Sequence, residues 1–293
     1  MVDIQKIIGN TPLIKISDKI YAKLETYNPS GSIKDRMASY ILQKAEESGD
    51  LREGYTIVEA SSGNTGIAFS MLAANKGYGC VIIMPKNMSE ERKQMMKMFG
   101  SRIIEVGDND FKAAIRTRDE LVNNFGKYWS PKQFSNKYNI ECHERTTAKE
   151  ISYSVCSLSI EEAGYPKKLA ALVCGSGTGG TIMGCHNYLI ERWRGMKTVL
   201  VKPAEPAETH GIQGINDGAD FLCDMSKVDE VIDIKTQEAK DRSAKLAKEM
   251  GLLVGISSGA NILAAERWVE KNDPEGVVIT FLCDRGERYL SCQ

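Results

Sequence analysis

The stretch Leu169-Ala-Ala-Leu-Val-Cys174-Gly175-Ser-Gly-Thr-Gly-Gly-Thr181, running on into Ile182-Met-Gly-Cys-His-Asn-Tyr-Leu-Ile-Glu-Arg192, decides the fold. Six apolar residues without polar alternation suit a strand covered on both faces, and a helical pattern opens directly after the glycines. A strand, a glycine turn and a helix make the repeating unit of a parallel α/β sheet. The turn's backbone amides converge at a helix N-terminus, where a tetrahedral anion is favoured. Gly175, Gly177 and Gly180 also satisfy Gly-x-Gly-x-x-Gly, so a dinucleotide site stays open beside a phosphate cup, with Glu205 as the acid that would meet a ribose. A purely structural tight turn is the third reading.

Outward from that turn the same alternation recurs. Apolar, β-branched runs at Thr56–Val58, Cys80–Met84, Ile103–Val106, Thr198–Val201 and Val277–Leu282 read as further buried strands. Met37, Ala38, Ile41, Leu42 and Ala45 repeat at helical spacing up to Gly49, and Ser89-Glu90-Glu91 opens a helix that runs to Gly100. The methionines from Met84 to Met98 read as core filler. Strand and helix patterns lapse between Tyr128 and Asn139, and a new helical run begins near Thr147, so the chain crosses between domains there. The 293 residues suffice for about two domains.

Composition removes several functions. Lys plus Arg number 38 against 39 Asp plus Glu, so no positive field exists to collect nucleic acid or an anionic membrane. No apolar window reaches the ~18 residues of a membrane span, and no signal-peptide pattern opens the chain. The eight cysteines never come as close as Cys-x-x-Cys, and His143, His186 and His210 lie at no metal-ligand spacing. No metal site is expected. The reading is of a cytoplasmic protein with reduced thiols.

Three other glycine turns share the strand-to-helix position: Asn28-Pro-Ser-Gly-Ser-Ile-Lys34-Asp-Arg36, Ala60-Ser-Ser-Gly-Asn-Thr-Gly66 and Gly255-Ile-Ser-Ser-Gly-Ala260. The last matches Gly-x-Ser-x-Gly, but no histidine follows Ser257, so a hydrolase triad in the usual order cannot be completed. In the first, Ser32 is expected to cap a helix and Asp35 to complete a capping-box pair, which places Lys34 in the first helical turn. The positive end of the helix dipole and an apolar site both lower a lysine pKa, as Schiff-base chemistry near neutral pH requires.

Taken in order, these four motifs resemble the cysteine synthase (O-acetylserine sulfhydrylase) group of fold-type II pyridoxal-phosphate enzymes. Ile8-Gly-Asn-Thr-Pro-Leu13, Gln133-Phe-Ser-Asn136 and Asp284-Arg-Gly-Glu-Arg-Tyr-Leu-Ser291 agree, the last being similar to the B-type enzymes. The resemblance spans nearly the whole chain. It implies an α/β fold of the tryptophan synthase β type, with two domains that each carry a mainly parallel twisted sheet flanked by helices. Residues 27–135 would form the first, with the lysine and a substrate-carboxylate loop. Residues 1–26 and 136–293 would form the second, with the phosphate cup.

Site roles follow from the resemblance position by position. Lys34 would carry the internal aldimine and take the Cα proton. Gly177, Thr178, Gly179, Gly180 and Thr181 would bind the phosphate of pyridoxal 5′-phosphate, Asn64 its ring 3′ oxygen and Ser257 its pyridine nitrogen. Ser61, Ser62, Gly63 and Thr65 would hold the substrate carboxylate, with Gln133 closing over it and Gly214 at the active-site mouth. A hydroxyl beside the pyridine nitrogen leaves it largely unprotonated, which favours elimination at Cβ.

The implied reaction is β-replacement on a β-substituted L-alanine through an α-aminoacrylate: O-acetylserine plus sulfide giving cysteine and acetate. The alternative is the same chemistry with cysteine as donor, releasing hydrogen sulfide and forming serine or a thioether. A nicotinamide oxidoreductase is the remote third reading. A homodimer with small amino-acid and thiol substrates is implied. Where the family usually reads Gly-Ile-Gly-Ala-Gly-Phe, this chain reads Gly214-Ile-Asn-Asp217-Gly-Ala-Asp220-Phe221. Asp217 is therefore a candidate general base near Cβ that would repel hydrosulfide, against the plain reading of a surface Asp in a variable loop.

Overall fold

The computed structural model describes residues 3–162, 168–206, 209, 211–212, 215 and 222–292. In chain order the strands are β1 (Leu13–Lys15), β2 (Ile20–Leu24), β3 (Thr56–Ala60), β4 (Gly79–Pro85), β5 (Arg102–Val106), β6 (Tyr128–Trp129), β7 (Leu169–Gly175), β8 (Lys197–Pro203), β9 (Glu230–Ile234) and β10 (Val277–Leu282). The helices are α1 (Lys34–Ser48), α2 (Asn64–Lys76), α3 (Glu90–Met98), α4 (Phe111–Asn124), α5 (Tyr138–Arg145), α6 (Thr147–Glu162), α7 (Gly180–Arg192), α8 (Thr236–Met250) and α9 (Ile256–Asn272).

Among the described residues the strands form two sheets. One, in the order β5-β4-β3-β6, is parallel throughout. The other runs β1-β2-β10-β7-β8-β9 and is parallel except where β1 pairs antiparallel with β2. Central strands are buried almost end to end, β10 at every residue and β4 from Cys80 to Pro85, because helices cover both faces. This is the expected α/β architecture with two mainly parallel sheets.

All six apolar runs are strands, lengthened by one to three residues where they grew at all. Four further strands carry no such apolar run. β2 places Lys23 in its middle, β9 alternates Glu230, Val231, Ile232 and Asp233 at a sheet edge, and β1 and β6 have three and two residues. The lapse after Tyr128 is also shorter than it looked, since β6 opens it and α5 begins at Tyr138.

On the four-stranded sheet, Met37, Ile41 and Leu42 of α1 pack with Ile67 and Leu72 of α2 and with Met84, Met88 and Met96. The methionines are core filler apart from the exposed Met98. The six-stranded sheet is sandwiched between Ile151, Ile182 and Leu189 on one face and Ala260, Ala264 and Trp268 on the other. Helix α5 meets α7 with backbone nearly touching, because a Cβ on Gly184 would stand 2.3 Å from the Ile140 carbonyl oxygen. Cys80, Cys142, Cys156, Cys174, Cys185, Cys223 and Cys283 are all free thiols.

A buried ionic network ties α1 to α6 and to the end of β2. The Arg36 guanidinium donates to both carboxylate oxygens of Glu25, at 2.7 and 2.9 Å, and to both of Glu150, at 2.6 and 2.8 Å. Lys23 also reaches Glu150, at 2.5 Å. Burial alone would raise both acids, but these cations outweigh it, holding Glu25 below the ordinary range and Glu150 down at about 2. Arg36→Met strands the buried Glu25 carboxylate and leaves Glu150 with Lys23 alone, and we expect it to cost about 3–5 kcal/mol in urea unfolding, lowering the midpoint with little change in slope. A loss under about 1 kcal/mol would mean that water reaches Glu25.

Candidate active site

Lys34 is the first residue of α1. The turn before it needs Gly31, whose φ of +87° lies in the left-handed region and whose N–H donates to the Asn28 carbonyl. The Ser32 hydroxyl oxygen accepts the Lys34 N–H at 3.3 Å, as a cap would. The capping box does not form. Asp35 instead accepts the Ser30 N–H at 2.6 Å and the Ser30 hydroxyl, because the turn folds Ser30 back over the helix start. Burial pushes the Asp35 carboxyl up to about 6, against the pull of Ser30 and Arg288.

The Lys34 amine points into a cleft and makes no hydrogen bond or ion pair with any described residue. Burial lowers its pKa from the ordinary 10.5. The thiols of Cys283 and Cys174 and the Asp284 carboxylate pull the other way. Those thiols are themselves raised by burial, Cys283 to about 12, so at neutral pH neither provides a counter-charge.

Across the cleft, the loop from Gly175 leads into α7. Gly177 and Gly179 have φ of +41° and +83°, and a Cβ on Gly179 would lie 2.5 Å from the Cys223 backbone nitrogen, so only glycine fits there. The first-turn amides of α7 have no carbonyl one turn earlier and favour an anion. Asn139 donates to the Thr178 hydroxyl at 2.9 Å. His143 stands behind, Nε2 3.2 Å from the Thr181 hydroxyl and Nδ1 2.9 Å from that of Thr147. Burial, aided by the charges of Arg36 and Lys34, holds this imidazole neutral.

The third wall is the start of α2. Ser61 accepts the N–H groups of Gly63 and Gly66, each at 3.0 Å, so its hydroxyl shapes the loop from inside. Gly63, with φ of +154°, leaves no room for a side chain against Arg92. Thr65 donates to Gln133 Oε1 at 2.7 Å, and Gln133 donates through Nε2 to the Ala60 carbonyl. The Gln133 N–H reaches the buried Glu59, and Asn139 donates to the Gln133 carbonyl as well as to Thr178. One asparagine thus joins this loop to the glycine cup.

Lys34, Asn64, Gly177, Thr178, Gly179, Thr181 and Ser257 line one cleft together. Gly180 sits at the start of α7 against Asn139, and Ser61, Ser62, Gly63, Thr65 and Gln133 form the adjoining loop. Gly214, Asp217 and Asp220 lie outside the described residues. Glu205 caps α8, accepting the Thr236 N–H at 2.8 Å, so the acid required by a dinucleotide site is already engaged. Among the described residues no three His, Cys, Asp or Glu side chains gather as a metal site would require. Asn139, His143, Asp284 and Arg288 also stand at the site, with no role expected of them from sequence, although Asp284 and Arg288 lie in the Asp284–Ser291 stretch that carries the resemblance.

The family model described as "Pyridoxal-phosphate dependent enzyme" matches residues 4–284. A probable cysteine synthase of Bacillus subtilis (strain 168) is 37% identical, with 97% of this chain and 94% of that protein covered. Among solved structures, a hydrogen sulfide-producing enzyme from Fusobacterium nucleatum superposes with a TM-score of 0.90 at 34% identity, covering 99% of this chain and 100% of that one. An O-acetylserine dependent cystathionine beta-synthase from Helicobacter pylori gives 0.91 at 30% identity, covering 100% and 98%.

The residues present fit pyridoxal phosphate: an amine with no counter-ion among the described residues faces a helix N-terminus across one cleft, with a hydroxyl at Ser257 beside it. The desolvated amine also leaves a mark on stability. Between its lowered pKa and 10.5 the unfolded chain holds more protons than the folded one, so stability from this group rises with pH across that window. In the cofactor-free protein, Lys34→Met is expected to raise the urea midpoint at pH 7 and to lose that advantage towards pH 10. A variant no more stable than its parent at pH 7 would show the amine to be hydrated.

Proposed function

This chain belongs to the cysteine synthase family of pyridoxal-phosphate-dependent enzymes, and on that premise we propose that it replaces the β substituent of a β-substituted L-alanine with a thiol, converting O-acetylserine and sulfide into cysteine and acetate. The observation that carries the proposal is the unpaired, desolvated Lys34 amine facing the glycine cup. When bound, pyridoxal phosphate supplies an aldehyde that holds amino groups and a ring that spreads charge from Cα while the β substituent leaves.

Lys34 holds the cofactor between turnovers, removes the proton at Cα and later returns it, which a lowered pKa allows near neutral pH. Gly177 to Thr181 bind the phosphate through backbone amides and hydroxyls. Ser257 meets the pyridine nitrogen with a neutral hydroxyl, and Asn64 meets the ring 3′ oxygen. Ser62, Gly63 and Thr65 orient the substrate carboxylate, Ser61 holds their backbone in place, and Gln133 closes over it. The Cβ–oxygen bond breaks with its electron pair going to acetate, and a Cβ–sulfur bond forms in its place.

The likeness to a hydrogen sulfide-producing enzyme supports a second reading of the same site, with cysteine as donor and sulfide released. Asp217 would favour that direction as a general base that repels hydrosulfide. We further propose that residues 27–135 form one domain and residues 1–26 with 136–293 the other, and that the enzyme works as a cytoplasmic homodimer. Among the described residues no helix is long and apolar enough to cross a membrane.

Acetylserine, phosphoserine, serine and cysteine, each with and without sulfide or homocysteine, test these readings by product analysis. We expect cysteine from acetylserine plus sulfide, and a loss of at least about 10²-fold for Lys34→Ala. If Asp217→Ala leaves the ratio of sulfide release to cysteine synthesis unchanged, Asp217 has no such role. The absence of any visible spectral change with all four amino acids would sink both directions.

A further inference from the structure

The carboxamide of Asn64 is gripped from both ends by the segment that follows β10. Its Nδ2 donates to Asp284 Oδ2 at 2.6 Å, and its Oδ1 accepts from the Arg288 guanidinium. The two partners are chemically exclusive. An ionised carboxylate only accepts and a guanidinium only donates, so each permits one orientation of an amide whose oxygen and nitrogen ends have the same shape. The grip leaves the second N–H of Asn64 without a partner among the described residues, and Asn64 lines the same cleft as Lys34.

The same segment fixes the turn that carries Lys34. The Cys283 carbonyl accepts the Ile33 N–H at 2.8 Å, Arg285 donates its N–H to the Gly31 carbonyl, and Arg288 donates to the Ser30 carbonyl. Asp284 also pairs with Ser32 as an isolated bridge. Tyr289 donates to Asp284, its ring beneath the Arg92 guanidinium at 5.1 Å, and Arg92 reaches the Ser62 carbonyl at 2.8 Å. Asp284 Oδ1, Arg288 Nε and Arg92 Nη2 are buried and have no hydrogen-bond partner among the described residues.

We propose that Asp284, with Arg288, is a positioning residue: it fixes the Asn64 amide so that an N–H, not the carbonyl oxygen, faces the 3′ oxygen of the bound cofactor. A flipped amide would set two electron-rich oxygens against each other. The proposal rests on the cofactor placement of the previous subsection.

The test measures pyridoxal phosphate binding to the cofactor-free protein in a double-mutant cycle, together with the visible band of the bound cofactor. Asp284→Ala is expected to weaken binding about tenfold, the size of one charge-assisted hydrogen bond, and to shift the band. In an Asn64→Ala background the same change is expected to alter binding less than about twofold, because Asp284 then has nothing to orient. Asp284→Asn keeps an acceptor and is expected to fall between the two. If Asp284→Ala does not fold, the Asn variant is read by the same rule, with a severalfold effect. Equal weakening in both backgrounds would make Asp284 merely structural and overturn the proposal. The underlying cofactor reading fails separately, if borohydride treatment of the parent protein leaves no adduct on Lys34.

Discussion

The site is organised around one withheld interaction: the Lys34 amine faces the cleft on a half-buried residue, its pKa lowered by burial, and makes no ion pair with any described residue. The buried charges one turn away are treated differently. Arg36, two residues along the same helix, has two carboxylates, and Glu150 has two cations. Burying an ion without a partner is among the most expensive acts in a protein interior, and a lysine escapes that cost by releasing its proton. The same physics that would destabilise an ordinary lysine prepares this one as a nucleophile and base.

That preparation depends on backbone geometry that local sequence could reveal only in part. The glycine turns were legible because left-handed φ values and close backbone approach leave glycine as the single solution, as at Gly31 and Gly179. The central strands were legible because burial on both faces removes polar residues from them. The partners of these elements were hidden by distance along the chain. Asp284 is 220 residues from Asn64, and nothing near Asn64 encodes that an acid will arrive there.

The wrongly expected capping box shows the same limit at short range. Ser32 and Asp35 have the required spacing, yet Asp35 bonds Ser30, because Pro29 and Gly31 bend the chain before the helix starts. β2 was missed because Lys23 reads as a surface residue until Glu150, 127 positions later, is seen to pair with it. His143 and Asn139 were similarly opaque. Each is a common residue on a short helix, and its contact with the cup exists only because Gly184 lets α5 approach α7.

Holding two anions with helix N-termini, as the proposed placement requires, has a consequence for selectivity. Among the described residues that line the cleft Lys34 is the only amine, and no second lysine or arginine stands there to pin a phosphate. An aldehyde entering it therefore meets a single nitrogen able to join it covalently. The competing nucleophiles there are the thiols of Cys174 and Cys283. Burial keeps both protonated, and a thiol attacks carbonyl carbon effectively only as thiolate. Backbone amides thus supply the attraction that a second cation would otherwise provide, without adding a second place for the cofactor to bond. The desolvation that lowers the lysine's pKa raises those of the thiols, so one apolar environment favours the wanted nucleophile and suppresses its rivals.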